Sequence, residues 1–372
     1  MNHIPAVQPI PSGIVTLADH ELHARSVLDD NAWAYFSGGA ADEITLRANR
    51  SAWDEMQLSP RVLRNLVGGN TRTQLLGRTL AHPILLAPVA FQRMAHPDGE
   101  VATAYAAAMQ GAGLVLSTQA SMPLEDVAQA VLSEAQRGPL WFQFYFQHDR
   151  GFMRELIQRA EQAGYEAIVV TVDAPSSGVR DRERRAEFKL PPGISAVNLA
   201  GLPPAPPVYL APHQSRMFDA LLATAPTWSD IEWLQGVTRL PILLKGVMHE
   251  DDARLASQMG LGGIIVSNHG GRTLDTMPAT AAVFPRIHEV VGGALPILLD
   301  GGIRRGTDVL KAIALGASAV LIGRPYVWGL ANAGAMGVSH VLRLLRDELE
   351  IAMALCGCAT LDEVSSATLF KR

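Results

Sequence analysis

Residues 296–324 read PILLDGGIRRGTDVLKAIALGASAVLIGR. A proline introduces a short apolar run that stops at Asp300-Gly301-Gly302. A segment of helical spacing opens at Thr307 and Asp308 and stops at Gly316, and a second apolar run from Ala319 ends at Gly323-Arg324. Strand, helix and strand in that order form the repeating unit of a parallel sheet. The same rhythm extends towards the N-terminus. Apolar, β-branched runs recur at Pro83–Pro88, Gly113–Thr118, Leu140–Tyr145, Ala167–Asp173, Pro241–Val247 and Gly263–Asn268, and with Pro296–Gly302 and Ala319–Arg324 they make eight. Eight parallel strands close a barrel, so the expected fold is α/β, a single (β/α)8 TIM barrel.

Helix punctuation agrees with that reading. Pro97 and Glu100 open one helix and Gly111 follows it, while Asp149 caps another that stops at Gly164. Residues 1–80 precede the first run and carry a helix capped by Thr16 and Asp19 and running to Gly38-Gly39. The expected organisation is an N-terminal helical extension, 1–80, packed on a barrel, 81–372. A long loop follows the fourth strand: Leu190 to Ser215 carries no Asp, Glu, Lys or Arg, but its seven prolines forbid a membrane-spanning helix.

Composition removes several function classes. Of 372 residues, 48% are hydrophobic and 18% charged, which is too apolar for a disordered chain. The formal net charge of −5 offers no global basic field for nucleic acid or an anionic membrane. Cys356 and Cys358 stand alone near the C-terminus, with neither the spacing of a disulfide framework nor that of a metal knuckle, so no metal site is expected. Met1-Asn2-His3-Ile4-Pro5 has no basic region followed by an apolar one, and a cytoplasmic location is expected.

Barrel enzymes carry their chemistry where the strands end. Here those ends are polar on strand after strand: Ser117, Gln143 and Tyr145, Thr171 and Asp173, Lys245, then Ser267 to Arg272, Asp300 to Arg304, and Gly323-Arg324. The turns after the last two strands combine Gly301, Gly302 and Gly323 with Arg304 and Arg324. Glycine lets backbone N–H groups approach closely, and paired guanidinium groups suit a phosphate dianion. By contrast Gly260-x-Gly262-Gly263 precedes a strand, which is the wrong context for a dinucleotide fingerprint. Ser117, Gln143, Thr171 and Lys245 offer neutral donors and acceptors with one cation, a set suited to a flavin whose ring becomes anionic on reduction. His269 is placed to act as a base with Asp173 holding its other ring nitrogen, whereas His96 and His249 read as structural. Arg272 and Arg180 can clamp a carboxylate with forked bonds, although most of the run Arg180 to Arg185 reads as a solvated face.

These residues carry a family resemblance. Ser267-Asn268-His269-Gly270-Gly271-Arg272 with Leu274-Asp275 resembles the signature of the FMN-dependent α-hydroxy acid oxidase and dehydrogenase family. Tyr35 to Leu46, Ala87-Pro88, Met94-Ala95-His96-Pro97, Thr171-Val172-Asp173, Lys245-Gly246-Val247, Asp300 to Gly306 and Ile322-Gly323-Arg324-Pro325 resemble it in the same order, from about residue 15 onward. The resemblance implies FMN surrounded by Val89, Ala90, Ser117, Gln143, Thr171, Lys245, Ser267, Asp300, Gly301, Gly302, Arg304, Gly323 and Arg324. It implies substrate held by Tyr35, Tyr145, Arg180 and Arg272, with His269 as base and Asp173 orienting it. The implied reaction converts an (S)-2-hydroxy acid to the 2-oxo acid in a homotetramer. Ala90 resembles the oxidases of the family, which pass electrons to O2 and yield H2O2. The uncharged loop occupies the place where a membrane-associated, quinone-linked dehydrogenase of the family meets its membrane. Gln119, where glycolate oxidase carries a large aromatic, Ser176-Ser177, where its pair is bulkier, and Thr273 depart from the family pattern. They leave the substrate side chain open.

Overall fold

The computed structural model describes residues 7–223 and 225–370, so the reading of Met1 to Pro5 lies outside the described residues. Three helices come first: α1 (Leu17–Val27), α2 (Asp30–Ser37) and α3 (Ile44–Glu55). The sequence suggested one helix from Thr16 to Gly38, but the chain divides it. Leu28 is extended, and Asp29 starts afresh by accepting the Ala32 N–H at 2.7 Å. Asp29 competes with the helix for backbone donors, and a new N-cap wins. A small antiparallel hairpin, β1 (Thr73–Leu75) with β2 (Arg78–Leu80), leads into the barrel.

The barrel is closed and parallel. Its strands are β3 (Ile84–Leu86), β4 (Gly113–Leu116), β5 (Leu140–Phe144), β6 (Ile168–Thr171), β7 (Ile242–Val247), β8 (Gly263–Val266), β9 (Ile297–Leu299) and β10 (Ala319–Ile322). Closure is made by β10 pairing β3, Val320 beside Ile84 and Leu321 beside Leu85. Each strand is shorter than its apolar run because the ends leave the ladder to form the mouth. Around it run α4 (Gly99–Gln110), α5 (Leu124–Val131), α6 (Arg150–Gln162), a short α7 (Asp181–Arg185) in the long loop, α8 (Trp228–Gln235), α9 (Glu250–Gln258), α10 (Thr280–Val291), α11 (Gly306–Ala314) and α12 (Arg324–Leu355). The last is broken at Ala333-Gly334, where backbone angles are non-helical.

Side chains alternate in and out along every strand. Ile84 and Leu86, Leu114 and Leu116, and Phe142 and Phe144 join the core between barrel and helices. Leu85, Val115, Trp141, Val169, Leu243, Ile265, Leu298 and Leu321 fill the barrel interior instead. Two residues further on, each strand therefore presents its next inward position at the mouth. Those positions are Ala87, Ser117, Gln143, Thr171, Lys245, Ser267, Asp300 and Gly323. A dry floor is thus roofed by a ring that is polar at six of eight positions.

The extension is stitched to that mouth. Asp275 accepts the Ile44 and Thr45 N–H groups at 3.2 and 2.8 Å and so caps α3 from the loop after β8. Asn49 and Asn268 exchange two amide hydrogen bonds, at 2.8 and 2.9 Å, while Trp53 Nε1 donates to Gly301 O at 2.8 Å. Arg50 pairs with the buried Asp308 at 2.6 Å. The N–H groups of Ala40 and Ala41 donate to Gly271 O and Val179 O, both at 2.7 Å. Cys356 and Cys358 are buried free thiols, and no helix among the described residues is long and apolar enough to cross a membrane.

Candidate functional site

A cavity of about 690 Å³ opens at the C-terminal ends of the barrel strands. Its wall includes Ala87 to Phe91, Ser117, Gln119, Gln143, Tyr145, Thr171, Lys245 and His269, with Gly301, Gly302, Arg304, Gly323 and Arg324 after the last two strands. Tyr35 reaches it from α2, and Arg180, Glu183 and Phe188 from the loop after β6. Of the candidate cofactor-binding, substrate-binding and catalytic residues named in the sequence, Ser267 and Asp173 are not on the wall; each stands behind it and supports a residue that is.

The ring is wired in two chains. Ser117 Oγ donates to Gln143 Oε1 at 3.3 Å, and Gln143 Nε2 donates to Thr171 Oγ1 at 3.0 Å. Across the mouth, Lys245 Nζ donates to Ser267 Oγ at 2.8 Å, and that hydroxyl donates to Asp300 Oδ2 at 2.8 Å. Lys245 also pairs directly with Asp300 at 3.1 Å. Burial works against the ammonium, but Asp300 and Asp173 outweigh it and raise the Lys245 pKa, so the cation is retained.

His269 Nδ1 stands 2.8 Å from Asp173 Oδ1. Nε2 has no hydrogen-bond partner among the described residues. Burial opposes charge on Asp173, yet His269 and Lys245 prevail and hold the carboxyl below its ordinary range. Two backbone features make the pair possible. His269 has φ 57°, which swings its ring off the strand line, and Gly246 has φ 111° at an irregularity in β7. A Cβ on Gly246 would lie 2.5 Å from the Asp173 Cβ, so this glycine makes room for the carboxylate.

Arg272 is fixed by carbonyl oxygens. Its Nη1 donates to Tyr35 O and Gly38 O at 2.6 and 2.7 Å, its Nη2 to Glu183 Oε1 at 3.1 Å, and its guanidinium lies 5.2 Å above the Tyr35 ring. Arg180 Nη1 shares that Glu183 oxygen at 3.3 Å, while its buried Nε has no partner among the described residues. Burial, then the Arg180 charge, push the Arg272 pKa down. Burial keeps both phenols protonated: the Tyr145 pKa is raised, with Asp173 adding to the effect, and so is that of Tyr35. Glu183 was missed in the sequence. It lies in a run read as solvated, and only its spacing of three from Arg180 on a helical turn signals that the two meet.

Among the described residues Arg324 donates only to carbonyl oxygens: Phe36 O at 3.1 Å, Gly270 O at 2.9 Å and Gly38 O at 2.8 Å. Burial first, then Arg272 and Arg304, push its pKa down to about 9, the mark of a buried cation short of an anion. Arg304, with Glu21 3.9 Å away, is likewise lowered by burial. Asp300 Oδ1 is buried, with no donor among the described residues. A dianion beside the two arginines and a hydroxyl on Asp300 would meet these needs, and FMN carries both groups. No cluster of three or more His, Cys, Asp or Glu side chains among the described residues can hold a metal ion.

A barrel with this ring, this cradle for a phosphate and a carboxylate-backed histidine at its mouth belongs among the flavin-dependent oxidoreductases. The family described as FMN-dependent dehydrogenase matches residues 24–371, and the chain belongs to that family. FMN is its cofactor. An L-lactate oxidase of Nostoc sp. is 47% identical over 361 residues, covering 96% of this chain and 98% of the relative. The human 2-hydroxyacid oxidase 1 is 44% identical over 367 residues, covering 96% and 97%. A crystal structure of mandelate oxidase with (S)-2-phenylpropionate superposes with a TM-score of 0.85 at 41% identity, covering 96% of this chain and 98% of that one. The chain is an FMN-dependent oxidoreductase that oxidises 2-hydroxy acids.

Proposed function

We propose that the protein converts (S)-2-hydroxy acids to 2-oxo acids and delivers the two electrons to molecular oxygen, releasing H2O2. The observation that carries this reading is the His269–Asp173 pair at 2.8 Å with the two arginines on the same cavity wall. Bound FMN supplies the two-electron acceptor. Arg180 and Arg272 hold the substrate carboxylate, and Tyr35 donates to it from the extension. Tyr145, kept protonated by burial, donates to the substrate oxygen. His269 Nε2 takes a proton from the substrate, and Asp173 stabilises the imidazolium that results. Lys245 lends the cavity floor positive charge, suited to a cofactor that gains negative charge on reduction. Ser117, Gln143 and Thr171 hold the ring, Val89 and Ala90 line it, and Ser267 steadies Lys245. Arg304, Arg324, Gly301, Gly302 and Gly323 receive the phosphate, and Asp300 accepts from the polyol chain.

Extension and barrel, 1–80 and 81–372, act as one catalytic unit, because Tyr35 comes from the first and His269 from the second. A cytoplasmic homotetramer is part of the proposal. The oxidase names of the relatives and Ala90 on the cavity wall favour oxygen. A quinone-linked, membrane-surface dehydrogenase is the second reading, favoured by exposed Val208 and Tyr209 in the uncharged loop and by exposed Phe218 just beyond it. Anaerobic mixing with a panel of 2-hydroxy acids bleaches the flavin with the (S) enantiomers only. Air-saturated buffer then restores it rapidly with stoichiometric H2O2. Slow recovery in air with fast recovery by a quinone analogue refutes the oxidase.

A further inference from the structure

Three charges meet at the carboxylate end of the cavity. Glu183 Oε1 accepts from Arg272 at 3.1 Å and from Arg180 at 3.3 Å, and its side chain is only 16% exposed. Other charges of the same run are engaged elsewhere. Arg182 pairs with Glu43 at 2.6 Å, while Asp181 turns to the exposed Arg184 and Arg185. The local group is therefore two cations and one anion on the wall of one cavity. Two guanidinium groups brought this close repel one another, and poor solvation strengthens the repulsion. The shared carboxylate oxygen cancels it. Arg272 spends its remaining contacts on the Tyr35 and Gly38 carbonyls, whereas the buried Arg180 Nε is left with a donor unmet among the described residues.

We propose that Glu183 is a positioning residue that holds Arg180 and Arg272 side by side and sets the clamp's net charge at plus one, so that the site favours 2-hydroxy monocarboxylates over dicarboxylates. This rests on Arg180 and Arg272 receiving the substrate carboxylate. A monoanion neutralises the clamp. A dianion brings a second negative charge into the field of Glu183, so removing the Glu183 charge helps a dianion more than a monoanion, by at most about twice because the second carboxylate lies farther off.

The test titrates holoenzyme with butanoate and with succinate, which match in carbon number and differ by one carboxylate, and reads the perturbation of bound-flavin absorbance. In Glu183→Gln the ratio of the two affinities moves towards succinate by about tenfold. Glu183→Asp, which keeps the charge, retains the wild-type ratio. The same comparison is made between Arg180→Gln and the double variant Arg180→Gln/Glu183→Gln, where loss of the Glu183 charge again moves the ratio about tenfold; this pair decides the matter if Glu183→Gln alone fails to retain flavin. An unchanged ratio in both backgrounds overturns the proposal. So does an equal shift in Glu183→Gln and Glu183→Asp, which would mark a role in packing. Failure of the underlying clamp reading looks different: butanoate then leaves the wild-type flavin spectrum unperturbed.

Discussion

His269 adopts a backbone conformation that few side chains tolerate, and this dictates how its role is tested. At φ 57° asparagine is the replacement of least strain, since its short polar side chain visits the left-handed region readily. In His269→Asn the flavin remains bound and anaerobic reduction by substrate slows by at least about 10²-fold. Near-normal reduction in stopped flow would remove the histidine from the reaction. Arg180→Lys keeps the charge but loses the planar fork, so KM rises by about tenfold or more while kcat changes less. An unaltered KM would put Arg180 back among the solvated arginines. Residues of this kind were legible to different degrees. Asp173 and His269 could be paired from sequence because both follow strands. Glu183 could not, because nothing in a charged run tells which side chain turns inward. Tyr35 came only through the family resemblance, because it sits on a helix outside the barrel and no strand rhythm leads to it.

The eight-fold rhythm of apolar runs was readable because each strand alternates between two cores, and the ring at the mouth is that alternation carried one step further. Strand boundaries were drawn too wide, since the runs took in the polar residues at their ends, such as Ser117-Thr118, Ser267-Asn268 and Asp300, which turn out of the strands to form the mouth. The break between α1 and α2 was missed for a local reason: Asp29 and Asp30 read equally well inside a helix and as its start. Gly246 appeared only as part of a resemblance, yet it gives β7 its irregular register and makes space for Asp173. In Gly246→Ala the new methyl group collides with the Asp173 side chain and displaces it from His269. Flavin reduction then slows by about 10- to 10²-fold, with FMN still bound because the arginine cradle lies on other strands. Full activity in this variant would show that Asp173 can shift without consequence.

Two buried histidines tie the stability of the whole molecule to pH. His82 accepts the Ile84 N–H at Nδ1 and meets Gln110 O with Nε2, so it is held neutral, while His20 faces His340 at 3.0 Å between α1 and α12. Burial first, then Arg346 for His82 and His340 for His20, lower each pKa from 6.5 to about 4. A depressed histidine pKa means that the unfolded chain takes up protons first as pH falls. Stability is therefore full above about pH 6.5 and is lost progressively towards pH 4. Between pH 7 and pH 5 the loss is about 2 kcal/mol per histidine. Thermal midpoints should fall over that interval in wild type and fall less in His20→Asn, and equal slopes would exclude His20 as a source. The Arg324 hydrogen bonds have a consequence for biogenesis. A guanidinium just beyond the final barrel strand binds the carbonyls of Phe36 and Gly38, and that strand, β10, completes the ring by pairing with the first, β3. A nascent chain that has not yet released β10 from the ribosome thus has neither a closed ring nor a phosphate cradle. Flavin loading must wait until β10 and Arg324 have been made, and until then the earlier helices have no finished surface to rest on.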